Sequence, residues 1–145
     1  MGIFDKIKKF IEKQYTLSQK DDVLFSAIHY ILTEDLGWIP EKFKMEGDEH
    51  EAEYYNPSSP IGKLEIEAKR IGGKFFLELE AETFKGEFME DLLERFVGFE
   101  VDFDKKLKVY WDLDHFVDDS LNLINEEELK YKLEDLISKL ESMVE

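Results

Sequence analysis

Two runs of strict alternation meeting at a glycine pair constrain this chain more than any other feature. Leu64, Ile66 and Ala68 alternate with Glu65, Glu67 and Lys69. After Gly72-Gly73, Phe75, Leu77, Leu79 and Ala81 alternate with Phe76, Glu78, Glu80 and Glu82. A period of two puts one set on each side of a strand, and Gly-Gly supplies the backbone freedom of a tight turn, so a β-hairpin is predicted here. One of its sides is apolar and must be covered. The other carries Glu65, Glu67, Glu78, Glu80 and Glu82 and should be wet and acidic.

The covering material is helical in pattern. Val23, Leu24, Ala27, Ile28, Ile31 and Leu32 form one stripe at spacings of three and four, with Ser18 as its N-cap, Asp21 and Asp22 in its first turn, and Gly37 and Pro40 beyond its end. Residues 87–97 repeat the spacing with Phe88, Leu92, Leu93 and Phe96. The last helix carries Leu129, Leu133, Leu136, Ile137, Leu140 and Val144, and Asn125 with Glu128 has the spacing of a capping box. Residues 42–55 alternate roughly and are rich in acid, which predicts one or two strands. A second hairpin is predicted from Phe99, Val101 and Phe103 to Leu107, Val109, Trp111 and Leu113. The expected fold is α+β, a mainly antiparallel sheet of about five strands with helices on one face, in the order α-α-β-β-β-α-β-β-α.

Charge divides the chain in two. The net charge is −16, yet residues 1–20 hold five lysines against Asp5 and Glu12, a net of +3, which leaves −19 on the rest. Residues 1–17 are therefore read as a separate basic amphipathic helix, with Ile3, Phe4, Ile7, Phe10 and Ile11 on one face, and 18–145 as a single domain. At this charge a nucleic-acid partner is not expected, because repulsion replaces counterion release. There is no cysteine, so a disulfide scaffold, a thiol nucleophile and thiolate metal sites are excluded. No run of about 18 apolar residues spans a membrane and the start does not read as a signal peptide, so a cytoplasmic location is expected. Arg70 and Arg95 are the only arginines beside many lysines and glutamates, a compositional lean shared with heat-adapted proteins.

From residue 20 onward the element order, with its long final helix after Trp111-Asp112-Leu113-Asp114, resembles the type III secretion chaperone-like fold. A family of bacterial sensory-transduction regulators has a similar layout. The resemblance implies an acidic, often dimeric protein that binds a polypeptide and catalyses nothing. It carries over no functional residue, because no motif matches position by position, and the basic segment at 1–14 is extra to the pattern.

Each candidate site has a plainer explanation. Asp112, Asp114, His115, Asp118 and Asp119 are the densest group of possible ligands, and oxygen ligands at short spacing suit a divalent cation. Val117 and Leu123 stand where a calcium loop requires Gly and Glu, and the plainer reading is a strand end followed by acids capping a short helical turn. Glu67-Ala68-Lys69 matches the Glu-x-Lys element of metal-dependent nucleases, a three-residue match that arises easily in so charged a chain. His29, His50 and His115 are far apart, no Gly-x-Ser-x-Gly elbow is present, and nothing calls for a cofactor.

The leading expectation is a non-enzymatic, chaperone-like or regulatory protein that binds a protein or peptide through apolar helix surface or a sheet edge, as a homodimer, with the basic helix docking on its own body or on a dimer mate. Two alternatives are a divalent-metal hydrolase built on Asp112, Asp114 and Asp119, and a peripheral membrane protein held weakly through residues 2–14.

Overall fold

Alternation, stripes and turns combine into one sheet with helices on a single side. The computed structural model describes residues 3, 19–46, 49–71, 74–82 and 105–144. Helix α1 covers residues 19–30 and widens at its end into a π-helical turn at Ile31–Asp35. Gly37 stops it at φ +74°, a left-handed conformation that glycine adopts at little cost, and the Trp38 N–H then reaches back 2.9 Å to the Leu32 carbonyl.

Five strands follow: β1 (Ile39–Glu46), β2 (Glu49–Asn56), β3 (Gly62–Ile71), β4 (Lys74–Glu82) and β5 (Lys105–Asp112). They form an antiparallel sheet in the order β1-β2-β3-β4-β5, so each strand lies beside its neighbour in sequence. The β3–β4 register closes at Ile71 opposite Lys74, leaving only Gly72-Gly73 between the strands, as the hairpin requires. The acidic stretch at 42–55 resolves into two strands. Its alternation is faint because the inward positions of β2 are His50, Ala52 and Tyr54, which give a weak apolar signal. The helix expected at 87–97 and the strand at 99–103 lie outside the described residues.

Leu113 does not extend β5. Asp112 accepts a hydrogen bond from the Asp114 N–H at 3.0 Å and caps the short helix α2 (Leu113–Phe116). A tight loop bridged by Val117 and Leu123 leads to α3 (Glu126–Val144). The Asn125–Glu128 spacing does not serve as a capping box. Asn125 takes a left-handed φ of 54° and donates its amide to the His115 carbonyl at 2.6 Å, while Glu128 accepts from His115 Nε2 at 2.7 Å.

The core fills the space between helices and sheet. Leu64, Ile66, Ala68, Phe75, Leu77, Leu79 and Ala81 are all buried, as the alternation requires, together with Trp111. Leu24, Phe25, Ile28 and Leu32 from α1 and Leu129, Leu133, Leu136, Ile137 and Leu140 from α3 meet them. Each such side chain contributes about 1.5–3 kcal/mol on full burial, so the apolar stripe of α3 is what holds that helix to the sheet.

Candidate functional site

The sheet has an open side, and its chemistry is more balanced than the strand sequences alone suggest. Register places Glu51, Glu67 and Glu78 directly opposite one another across β2, β3 and β4, and Glu53, Glu65 and Glu80 in the adjacent row. Lysines close both rows: Lys44 and Lys42 on β1, Lys108 and Lys106 on β5. Lys63 lies 3.9 Å from each of Glu53, Glu65 and Glu82, and Lys108 lies 3.5 Å from Glu78. The expected acidic face is thus a strip of half-buried glutamates held inside a rim of ammonium groups. Glu67 and Lys69 of the Glu-x-Lys match belong to this surface, and Lys69 pairs with Glu49 at 3.6 Å.

At the start of α1 a polar knot around the buried Lys20 takes up several of the candidate ligands, whose own side chains are largely exposed. Lys20, almost fully buried, bonds to Asp114 and reaches Asp119 at 2.9 Å. Burial works against the Lys20 charge, but the two carboxylates outweigh it and hold the ammonium above the ordinary lysine range. The cation between Asp114 and Asp119 is therefore a lysine from 94 residues away, which short-range spacing could not reveal. Asp112 is occupied as the α2 cap. Asp118 accepts from the Ser120 and Asn122 N–H groups at 2.9 and 2.8 Å, and the backbone bond from Asn122 lowers its pKa. Among the described residues no group of three or more acidic or imidazole side chains is arranged to hold a metal ion.

Beside Lys20, Asp21 pairs with Arg70, and Asp22 accepts from His50 Nε2 at 2.8 Å. Burial raises Asp21 from the ordinary carboxylate value to about 6, against the pull of Arg70 and His50. Asp21 Oδ1 and His50 Nδ1 are buried without a hydrogen-bond partner among the described residues. Further along α1, His29 Nδ1 and the Tyr54 hydroxyl are 2.7 Å apart. Burial lowers the His29 pKa and pushes the Tyr54 hydroxyl well above the usual phenol range, because it disfavours the charged form of each. These groups pin α1 to the sheet.

Strand β1 behaves differently. It is an edge of the sheet, with no partner on its outer side among the described residues, and it is the one described strand that buries none of its residues. Phe43 and Met45 point to the helix side, where Phe43 stacks on Phe25 at 5.5 Å and Met45 receives a weak bond from the Ser26 hydroxyl at 3.6 Å. They remain 40% and 37% exposed, and Ile39 on the opposite side is 52% exposed. Natural edges are commonly blunted by proline, lysine or a bulge. Here Pro40 and the bulge between Pro40 and Lys42 are confined to the start of the strand. From Lys42 to Glu46 the ladder is regular, with lysines at 42 and 44 but neither proline nor bulge, and nothing pairs with its outer side among the described residues.

Of the sequence-predicted binding residues, Ile3 is helical and 75% exposed, whereas Phe4, Ile7, Phe10 and Ile11 lie outside the described residues. The exposed edge at Phe43 and Met45 was not singled out from sequence, because alternation marks a strand but not its place in a sheet. No described helix is long and apolar enough to cross a membrane. No protein-family model, curated protein or solved structure matches the chain.

Proposed function

We propose that the protein is a non-enzymatic polypeptide-binding protein, chaperone-like or regulatory, that accepts an extended segment along the outer edge of β1. The observation that carries this reading is the regular Lys42–Glu46 edge, unpaired among the described residues, with Phe43 and Met45 partly exposed on it. Strand addition obtains its affinity from main-chain hydrogen bonds and its selectivity from alternate side chains, and β1 offers both. Supporting the non-enzymatic part, Asp112 caps α2, Asp114 and Asp119 pair with Lys20, Asp21 with Arg70 and Asp22 with His50.

A photoreactive benzoylphenylalanine at Phe43, irradiated in cell lysate, tests the reading against the same group at Tyr131, an exposed position on α3 (73% exposed). Polypeptide adducts specific to position 43 are expected. Identical adducts at both positions, or none at 43, would remove β1 as the docking edge.

A further inference from the structure

The most specific question left by the open edge is what occupies it, and the side chains of β1 themselves favour one partner. An added strand must place a side chain opposite each β1 residue, with core-side residues facing core-side residues and open-side residues facing open-side ones. A second β1 related by a two-fold axis perpendicular to the sheet keeps that matching. Only a few registers are then available.

Centring the axis on Phe43 puts Lys42 opposite Lys44 twice, two like-charge contacts, and draws the bulge at Pro40 and Lys42 into the ladder. Centring it on Met45 leaves only three strand residues paired, because β1 ends at Glu46. Centring it on Lys44 uses the regular stretch Lys42–Glu46 in full. Lys42 then faces Glu46 twice, Phe43 faces Met45 twice, and a single like-charge contact, Lys44 with Lys44, falls on the axis. That register sets two opposite-charge and two apolar pairs across the strands, adding to the Lys42–Glu51 and Lys44–Glu46 pairs within each chain, covers the two exposed core-side residues, and leaves the bulge outside the ladder.

We propose that the outer edge of β1 pairs antiparallel with β1 of a second copy, with Lys44 on the two-fold axis, Lys42 opposite Glu46 and Phe43 opposite Met45, so that two five-stranded sheets join into one. This rests on the reading of β1 as a polypeptide-docking edge and names the polypeptide. The contact is five residues long on each side and lies at the small end of specific interfaces, so the dimer forms in a concentration-dependent way.

The chain contains no cysteine, so single cysteines introduced along β1 read the register directly. Cα atoms directly opposite in an antiparallel pair are about 4.5–5.5 Å apart, within the span of a disulfide. Under mild oxidation Lys44→Cys is expected to give a covalent dimer. Lys42→Cys and Glu46→Cys should stay monomeric singly and cross-link when mixed. Sedimentation equilibrium on cysteine-free chains adds the charge test. Glu46→Lys should weaken association about tenfold or more by setting lysine against lysine, and Lys42→Glu combined with Glu46→Lys should restore it to within about threefold.

Preferential cross-linking of Met45→Cys or Phe43→Cys would overturn the register. Monomers at every concentration, with no cysteine variant cross-linking, would overturn the dimer. If the photoreactive group at position 43 still captures other polypeptides in that case, the docking edge stands and only its occupant is wrong. If it captures nothing, both readings fall together.

Discussion

Phe25 and Phe43 stack ring on ring at 5.5 Å, yet they belong to two different regions of the molecule. Phe25, on α1, is fully buried, with the His50 ring edge-on to it at 5.2 Å and the Lys20–Asp114–Asp119 and Asp21–Arg70 pairs at the start of the same helix. Phe43, on β1, is 40% exposed at an edge with no partner on its outer side among the described residues. In the first region polar and apolar groups tie α1 both to the sheet and to the segment around α2. In the second, no described strand pairs with the outer backbone groups, and apolar area is left exposed. Among the described residues β5 is the other edge of the sheet, but unlike β1 it buries one of its residues, Trp111.

The largest expected effect comes from cutting the stack on either side. Phe25→Ala should cost about 3–5 kcal/mol of unfolding free energy, since a buried aromatic leaves a cavity, whereas Phe43→Ala should cost about 1 kcal/mol because much of its ring is already in water. Denaturant melts of both variants measure the difference. Equal losses would mean that β1 is as well covered as the core, and the contrast would collapse.

Next in size is the pH dependence of the knot. Asp21 titrates near 6 in the folded protein and near 3.8 when unfolded, because burial raises it. The native state therefore binds the extra proton between those values, and stability from this group is lost as pH rises from about 4 to about 6. A shift of about two units corresponds to about 3 kcal/mol. Subtracting the stability profile of Asp21→Asn from that of the unmodified protein should isolate this fall. A flat difference across the window would show that Arg70 and His50 offset burial in full.

The smallest effect belongs to the open side of the sheet. Glu67 lies directly opposite both Glu51 and Glu78. Glu67→Gln should stabilise the fold by about 0.2–1 kcal/mol at low salt, because like charges directly opposite on a sheet repel, and the gain should shrink as salt is added. Thermal melts at two ionic strengths check the sign.

What could be read from the chain follows from the range of the signals. The β3–β4 hairpin and the stripes of α1 and α3 were legible because Leu64–Ala68, Phe75–Ala81 and Leu129–Leu140 repeat with the period of their own element. The short capped turn after β5 was legible too, since Asp112 caps its own helix two residues on. The partner of Asp114 and Asp119 was not, because Lys20 comes from the other end of the chain. β1 and β2 were blurred by His50, Ala52 and Tyr54 at inward positions. The open edge was invisible for a different reason: Phe43 and Met45 alternate as residues of any half-buried strand do, and only the assembled sheet shows that nothing lies beyond them among the described residues.

Residue-resolved amide hydrogen exchange shows most directly whether β1 presents a free edge. In dilute protein the amides of β3 and β4 should be strongly protected, while within Lys42–Glu46 those directed outward should exchange as exposed groups and gain protection only as partner or protein concentration rises. Full protection of every Lys42–Glu46 amide in dilute monomer would contradict the account, because the edge would then already be covered by its own chain.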